Sequence, residues 1–345
     1  MTVPKLTVIT ATYNDELYIR EAVESILNQT FADFEYFIVD DGSTDNTFII
    51  LTSIHDKRIK LIRNESKTGP AAARNLALTK AKGEFIAIMD GDDISQPDRF
   101  KIQMDYFKNH PNVDYLGTGV RIVTKEGNKY LRDEIKPLSN GAICWMMLHK
   151  SPIVHATSIV RKELIETVGY YDESLKRGED IDLMRKISKI GRLANVPNIL
   201  YTYRVRGGIE QSQIFSFGKP FLQHIHTTYM EDLLGYAFNK EILNFLWSMR
   251  YPLQDKLSEC GDDHLLFDAV TALFFLYNAF QSRYELTPDD QKYIHEDLLI
   301  WTSKIASKSK NYSKLIDIFL RSENLTNLSP SSTLIKAWVK SIISM

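Results

Sequence analysis

The sequence predicts an α/β fold, with a mostly parallel central sheet flanked by helices and a helical region after it. Two observations carry this. In the first half, short β-branched runs alternate with stretches of helical periodicity, the pattern of strands joined by crossover helices. Beyond about Ser212, strand signals thin out and long helical patterns take over. One domain is therefore expected over 1–212 and a mostly helical one over 213–345.

Leu6–Thr12 reads as a buried strand, and Asp15–Gln29 as a helix with Ile19, Val23, Ile26 and Leu27 on one face. Phe34–Asp40 is the second strand, and Ser43-Thr44-Asp45 supplies capping chemistry for the next helix. Ile59–Arg63 is the third strand; Gly69-Pro70 then opens an alanine-rich helix reaching Ala81. Glu84–Met89 is the fourth strand and runs into Asp90-Gly91-Asp92-Asp93. The pattern then becomes mixed. Strands are expected over Val113–Val123, His155–Val160 and Leu200–Val205, and helices over Ala142–Leu148 and Glu179–Ile190.

Composition narrows the function. A net charge of -2 over 345 residues gives no electrostatic argument for a nucleic-acid partner. Cys144 and Cys260 stand far apart without a CxxC spacing, so neither a zinc ribbon nor a disulfide framework is expected, and a reducing cytosol is the expected compartment. Met1–Leu6 lacks the features of a signal peptide. The longest apolar stretch, His264–Phe280, contains Asp268 and is shorter than the roughly 20 residues of a spanning helix. It reads as a core helix.

In an open parallel sheet, ligands bind outside the carboxyl ends of the strands. Three polar clusters fall at such ends: Thr10–Asn14 (with Ala11 and Tyr13), Asp40–Ser43, and Asp90–Asp93. Asp90, Asp92 and Asp93, gathered around Gly91, repel one another unless a cation or solvent compensates. Magnesium or manganese is typically held by one or two carboxylates together with substrate phosphates. A solvated turn capping the helix near Pro97 is the alternative. Asp40 and Asp41 suit either a nucleobase N–H or a glycine turn with an aspartate cap. Glu179-Asp180 opens a helix, where a carboxylate serves as general base or simply caps. Arg204 and Arg206 precede Gly207-Gly208: either two phosphate-matching forks beside a flexible lid, or the solvated side of an edge strand. Arg74 faces a donor or the helix surface, and His155 reads as a core or loop histidine.

With those residues in view, the chain resembles the family 2 glycosyltransferases, which have a GT-A fold, a Rossmann-like arrangement. The matching segments, in family order, include LTVITATYN at 6–14, VDDGSTDNT at 39–47, ARN at 73–75, KGE at 82–84, MDGDD at 89–93, GYYDE at 169–173, GED at 178–180 and YR at 203–204. Each is modest, but the ordered set is specific across about the first 210 residues.

The resemblance implies an inverting, metal-dependent, non-processive transfer of a hexosyl or N-acetylhexosaminyl group from a nucleotide sugar, usually a UDP-sugar. Tyr13 and Asp41, helped by Asp40, would hold the base, with Thr10 and Ala11 in the same donor loop. Asp90, beside Gly91, would contact the ribose side. Asp92 would bind a Mn2+ or Mg2+ ion bridging the diphosphate, supported by Asp93. Asp180 would be the catalytic base and Glu179 an acceptor contact. Arg74, Arg204 and Arg206 would complete the donor side. Two positions depart from the family: Ala11 stands where proline is usual, and Arg206 where many members have histidine. Arginine cannot ligate a cation, so Arg206 either thins the metal site or neutralises phosphate directly.

Rival readings are weaker. A sugar-phosphate nucleotidyltransferase would carry a glycine-rich basic loop after its first strand, and a dinucleotide oxidoreductase would carry GxGxxG there; Thr10–Asn14 has neither. A glycoside hydrolase would not need the nucleotide-pocket clusters. A non-catalytic nucleotide-sugar-binding module remains open, against which Asp92 and Asp180 stand intact. No tryptophan follows arginine as in processive synthases of the family. The family commonly builds bacterial surface polysaccharide on glycan or lipid-linked acceptors at the inner membrane face. The tail 334–343 has an apolar stripe with Lys336 and Lys340, which suits packing on its own domain or a peripheral membrane contact. The C-terminal helices also suit a homodimer interface.

Overall fold

The computed structural model describes residues 3–127, 129–205, 209–235, 239–250 and 263–306. The chain divides into two compact units, one comprising Met1–Cys144 and Ser151–Leu222, the other Trp145–Lys150 and Gln223–Met345. Among the described residues, the first unit is built on a nine-stranded sheet. Its opening elements are β1 (Leu6–Thr12), α1 (Ile19–Leu27), β2 (Phe34–Asp40), α2 (Thr47–Thr52), β3 (Ile59–Arg63), α3 (Pro70–Leu78) and β4 (Phe85–Ile88). There follow β5 (Ile94–Ser95), α4 (Arg99–Asn109), β6 (Tyr115–Thr124), β7 (Tyr130–Glu134), α5 (Asn140–Met146), β8 (Ile159–Arg161), α6 (Lys162–Thr167), α7 (Glu179–Ile187) and β9 (Leu193–Val205).

The sheet order is β3-β2-β1-β4-β8-β6-β9-β5, with β7 paired to β6. β3, β2, β1 and β4 are mutually parallel, β8 is antiparallel to both β4 and β6, and β6 runs parallel to β9. From β1 the chain winds outward through β2 to β3, and α3 then returns it to the other side of β1 as β4. The order therefore reverses between β1 and β4, which makes their carboxyl ends a topological switch point.

β1 and β2 are buried almost throughout, and the polar residues they carry are paired inside, as where the Thr7 hydroxyl donates to Glu35 at 2.7 Å. The α1 face of Ile19, Ala22, Val23 and Ile26 joins Leu6, Val8, Phe34, Tyr36 and Phe100 in one core. α1 begins later than its periodicity suggests because Asp15 turns the chain: its carbonyl accepts the amides of Tyr18 and Ile19, each at 2.9 Å. Of the expected 155–160 strand, His155–Thr157 is a 3-10 turn and only Ile159–Arg161 pairs. β9 starts seven residues before the expected Leu200. Its pairing with β6 skips Pro197 and Asn198, since Thr118 faces Val196 and Gly119 faces Ile199. A bulge absorbs the proline that lacks a ladder N–H.

The second unit contains α9 (Lys240–Arg250), α10 (Asp263–Arg283) and α11 (Pro288–Ala306), with α8 (Ile209–Leu234) spanning the division. The segment 145–150 is enclosed there. Trp145 packs edge-on to Phe280 at 5.2 Å and donates its indole N–H to Asp297 at 2.9 Å. The apolar stretch 264–280 lies within α10, and among the described residues no helix is long and apolar enough to cross a membrane. Arg206, Cys260 and the 334–343 tail lie outside the described residues.

Candidate active site

The carboxyl ends of β1, β2 and β4 open into a cavity of about 740 Å³ in the first unit. Its inner wall carries Tyr13 after β1, Asp41 after β2, and Asp90, Gly91 and Asp92 after β4. Glu179, at the N-terminus of α7, joins them from a distant stretch of chain.

Local hydrogen bonds explain why these loops hold shape. Asp15 accepts the Thr12 hydroxyl at 2.8 Å, and Asn14, at φ +56°, receives the Thr44 amide at 2.9 Å while donating its own amide to Ser43. A left-handed backbone is one that asparagine tolerates, so the loops after β1 and β2 interlock through it. Gly91 lets the β4 loop approach β1. A Cβ there would stand 2.8 Å from the Thr12 hydroxyl and 2.9 Å from the Asp15 carboxylate.

Asp41 is a hub. It accepts hydrogen bonds from the Asn64 side chain (2.8 Å), the Thr68 amide and hydroxyl (2.9 and 2.7 Å) and the Gly69 amide (2.8 Å). Burial works to raise its pKa, but these donors outweigh it and hold the carboxyl below its ordinary value. Lys67 of the same loop lies over the Tyr13 ring, 3.7 Å from its centroid.

Arg74, on α3, ties the two acidic regions together. Its guanidinium reaches Glu179 at 3.0 Å and Asp90 at 3.4 Å, with its side chain only 10% exposed. Burial raises the Asp90 pKa, and the Asp92 charge adds to this while Arg74 opposes it. At the head of α7, burial and then the Glu179 charge push Asp180 up to about 7, against Arg74. That range suits a group that takes a proton at neutral pH.

The remaining expected residues fall in different places. Ala11 lines the cavity. Thr10 is fully buried, with its hydroxyl bonded to that of Tyr36 at 2.9 Å. Asp40 is fully buried behind Asp41, capping Ser43 and facing Arg63. Asp93 is not on the cavity wall: it is buried and accepts the Arg204 amide at 2.8 Å. Arg204 lines the cavity, and its guanidinium reaches the Asp92 carbonyl at 2.7 Å and the Glu21 carboxylate, so it also fastens β9 to the acidic loop. Arg206 is outside the described residues. His155 is buried and bonded to the Tyr171 hydroxyl at 2.8 Å.

Several residues escaped sequence reasoning. Arg99 is fully buried under the end of β4, donating to the Ile88 carbonyl at 2.9 Å, and burial lowers its pKa to about 10. Nothing in a helical RFKIQ marks such an arginine. Lys67, Lys176 and Arg177 line the cavity; their only signal was proximity to the motifs.

The donor set suits a hard cation. Asp92 and Asp90 offer carboxylate oxygen at the cavity, and among the described residues no three His, Cys, Asp or Glu converge as a cage. One or two carboxylates, completed by substrate phosphates, is the usual magnesium or manganese arrangement.

Comparison with known proteins bears on the family and the fold. The family model for glycosyl transferase family 2 matches residues 7–169. An uncharacterized glycosyltransferase of Methanocaldococcus jannaschii is 33% identical over 286 residues, covering 74% of this chain and 96% of that protein. One from Haemophilus influenzae is 33% identical over 214 residues, covering 59% of this chain and 66% of its own. The crystal structure of S. aureus TarS 1-349 in complex with UDP-GlcNAc superposes with a TM-score of 0.59 at 23% identity, covering 92% of each chain. A mannosyltransferase from Pyrobaculum calidifontis, in complex with GDP-Man and Mn2+, gives a TM-score of 0.51 at 18% identity, covering 89% of this chain and 87% of its own. These two likenesses concern the fold. From its sequence relatives, its topology and the acidic cavity at the switch point, the chain belongs to the family 2 glycosyltransferases and has their GT-A fold.

Proposed function

We propose that the chain is an inverting, metal-dependent, non-processive glycosyltransferase. It moves a hexosyl or N-acetylhexosaminyl group from a UDP-sugar to a hydroxyl of a glycan or lipid-linked acceptor, in surface polysaccharide synthesis. The observation that carries this is the convergence of Tyr13, Asp41, Asp90, Asp92 and Glu179 on one cavity; Asp180 follows Glu179 in α7 and is not itself among the lining residues. The complexes of the fold neighbours with UDP-GlcNAc and GDP-Man support a nucleotide-sugar donor, and an E. coli chondroitin synthase among the relatives, 30% identical over 212 residues, supports glycan synthesis.

Tyr13 and the Asp41 loop hold the base, and Asp90 the ribose side. Asp92 would hold the cation together with the donor diphosphate. When bound, the cation supplies Lewis-acid stabilisation of the leaving phosphate. Asp180 removes the acceptor's hydroxyl proton as that oxygen bonds the anomeric carbon. The bond from that carbon to the diphosphate oxygen breaks, its electron pair leaving with the nucleoside diphosphate. One in-line displacement inverts the anomeric centre.

A donor screen over UDP- and GDP-sugars, with Mn2+ and then with chelator, tests this. The expected result is hydrolysis or transfer with a UDP-sugar that chelator abolishes and Mn2+ restores. Full activity in chelator would remove the metal and leave arginine to neutralise the phosphates. Thermal stabilisation by a donor with no turnover under any condition would make the chain a binding module.

A further inference from the structure

The cavity has a second chemical character that glycosyl transfer to a neutral sugar does not use. Asp41, Asp90, Asp92 and Glu179 line it, and the loop leading into Glu179 and Asp180 adds two exposed cations, Lys176 and Arg177, on its rim. The loop is anchored, not trailing. Asn75 of α3 donates to the Tyr171 carbonyl at 2.9 Å and to the Glu173 carboxylate at 2.8 Å, and it accepts the Tyr171 amide at 3.1 Å. Asp172 closes the next turn on Ser174, with its carboxylate 2.6 Å from the hydroxyl. Among the described residues neither Lys176 nor Arg177 makes an ion pair, although most other arginines of this unit are paired or hydrogen-bonded. The one carboxylate of this loop on the rim, Glu173, is already engaged by Asn75. Two solvated cations beside the proton-accepting end of a cleft attract and orient an anionic group there.

We infer that Lys176 and Arg177 form an acceptor subsite for an anionic group, so that the acceptor carries a phosphate or carboxylate beside the hydroxyl that reacts. The inference rests on the glycosyl-transfer reading of this cavity, and it assigns the acceptor side because these residues adjoin Glu179 and Asp180. The nucleotide side is served by Tyr13, Asp41 and Lys67. An anion bound at the rim is held by the arginine fork and the lysine point charge while its neighbouring hydroxyl reaches Asp180.

The test is affinity electrophoresis of the full chain, with saturating UDP, through gels holding polyphosphate, polygalacturonate or neutral dextran. Retardation is expected in one or both polyanions and not in dextran, weakening as salt rises. The double variant K176E/R177E loses it by roughly tenfold in apparent affinity, whereas K101E/K108E, on the exposed side of α4, does not. Polyphosphate retardation alone identifies a phosphate-bearing acceptor, and polygalacturonate retardation alone a carboxylate-bearing one. Calorimetric titration with UDP separates the other source of phosphate. A UDP Kd about tenfold weaker in K176E/R177E would assign the cations to the donor diphosphate and overturn the inference. Equal retardation of wild type and double variant, or none of the wild type in either polyanion, also overturns it. Loss of UDP binding by the wild type itself would instead sink the glycosyl-transfer reading.

Discussion

The sharpest consequences belong to Asp180 and Arg74. With its carboxyl pushed up to about 7 from 3.8, Asp180 holds its proton in the folded chain over a range where the unfolded chain has released it. Stability contributed by that group is therefore greatest at low pH and falls as pH rises towards 7. Asp180→Asn is expected to melt higher than wild type at pH 8, with the difference shrinking as pH falls through 7 towards 4, in paired thermal melts. The same substitution should lower transfer by about 10² to 10⁴ while leaving donor binding intact, as expected for loss of a positioned base. Wild-type kcat/KM should climb as pH rises through about 7; a flat profile would take Asp180 out of the mechanism. Arg74→Met leaves Glu179 almost enclosed without its cation, next to a third-exposed Asp90. We expect about 3 kcal/mol lost in urea denaturation. Adding Glu179→Gln should return part of it, since the uncompensated charge is then gone.

Among the elements, the parallel half of the sheet was legible because β1, β2 and β3 are short runs rich in β-branched and aromatic residues, and all three have the expected bounds. The polar clusters after β1, β2 and β4 were legible because each breaks such a run at its carboxyl end. β7 was not. Its residues are largely exposed, and YLRDE carries charge where alternation would have shown a strand. Arg99 and the 64–69 loop were invisible too, because their importance lies in partners brought together only by the sheet. Two loop predictions follow. Gly91→Ala drives a methyl into Thr12 and Asp15, and the resulting overpacking, about 1–3 kcal/mol, should weaken UDP binding by roughly tenfold in calorimetry. Asp41→Ala strips four hydrogen bonds from the 64–69 loop, so limited proteolysis should cut there faster than in wild type.

At the scale of the molecule, the division of the chain is not a simple cut. The expected boundary near Ser212 marks the change in periodicity, whereas the segment 145–150, deep in the first half of the sequence, belongs to the C-terminal unit. Asp297→Ala should cost about 1–3 kcal/mol by leaving the Trp145 indole N–H buried without its acceptor, measurable by denaturant unfolding. A chain ending at Leu222 would keep every lining residue of the cavity yet strip Trp145, Met147 and Leu148, all fully buried, of their partners. It is expected to aggregate. The bond between Trp145 and Asp297 spans 152 positions, and a ribosome adding about 5–20 residues per second delivers the second partner roughly 8–30 s after the first. For that interval the apolar stretch Trp145–Leu148 waits without the C-terminal helices that bury it, so the half-made protein is expected to be at its most aggregation-prone until they emerge.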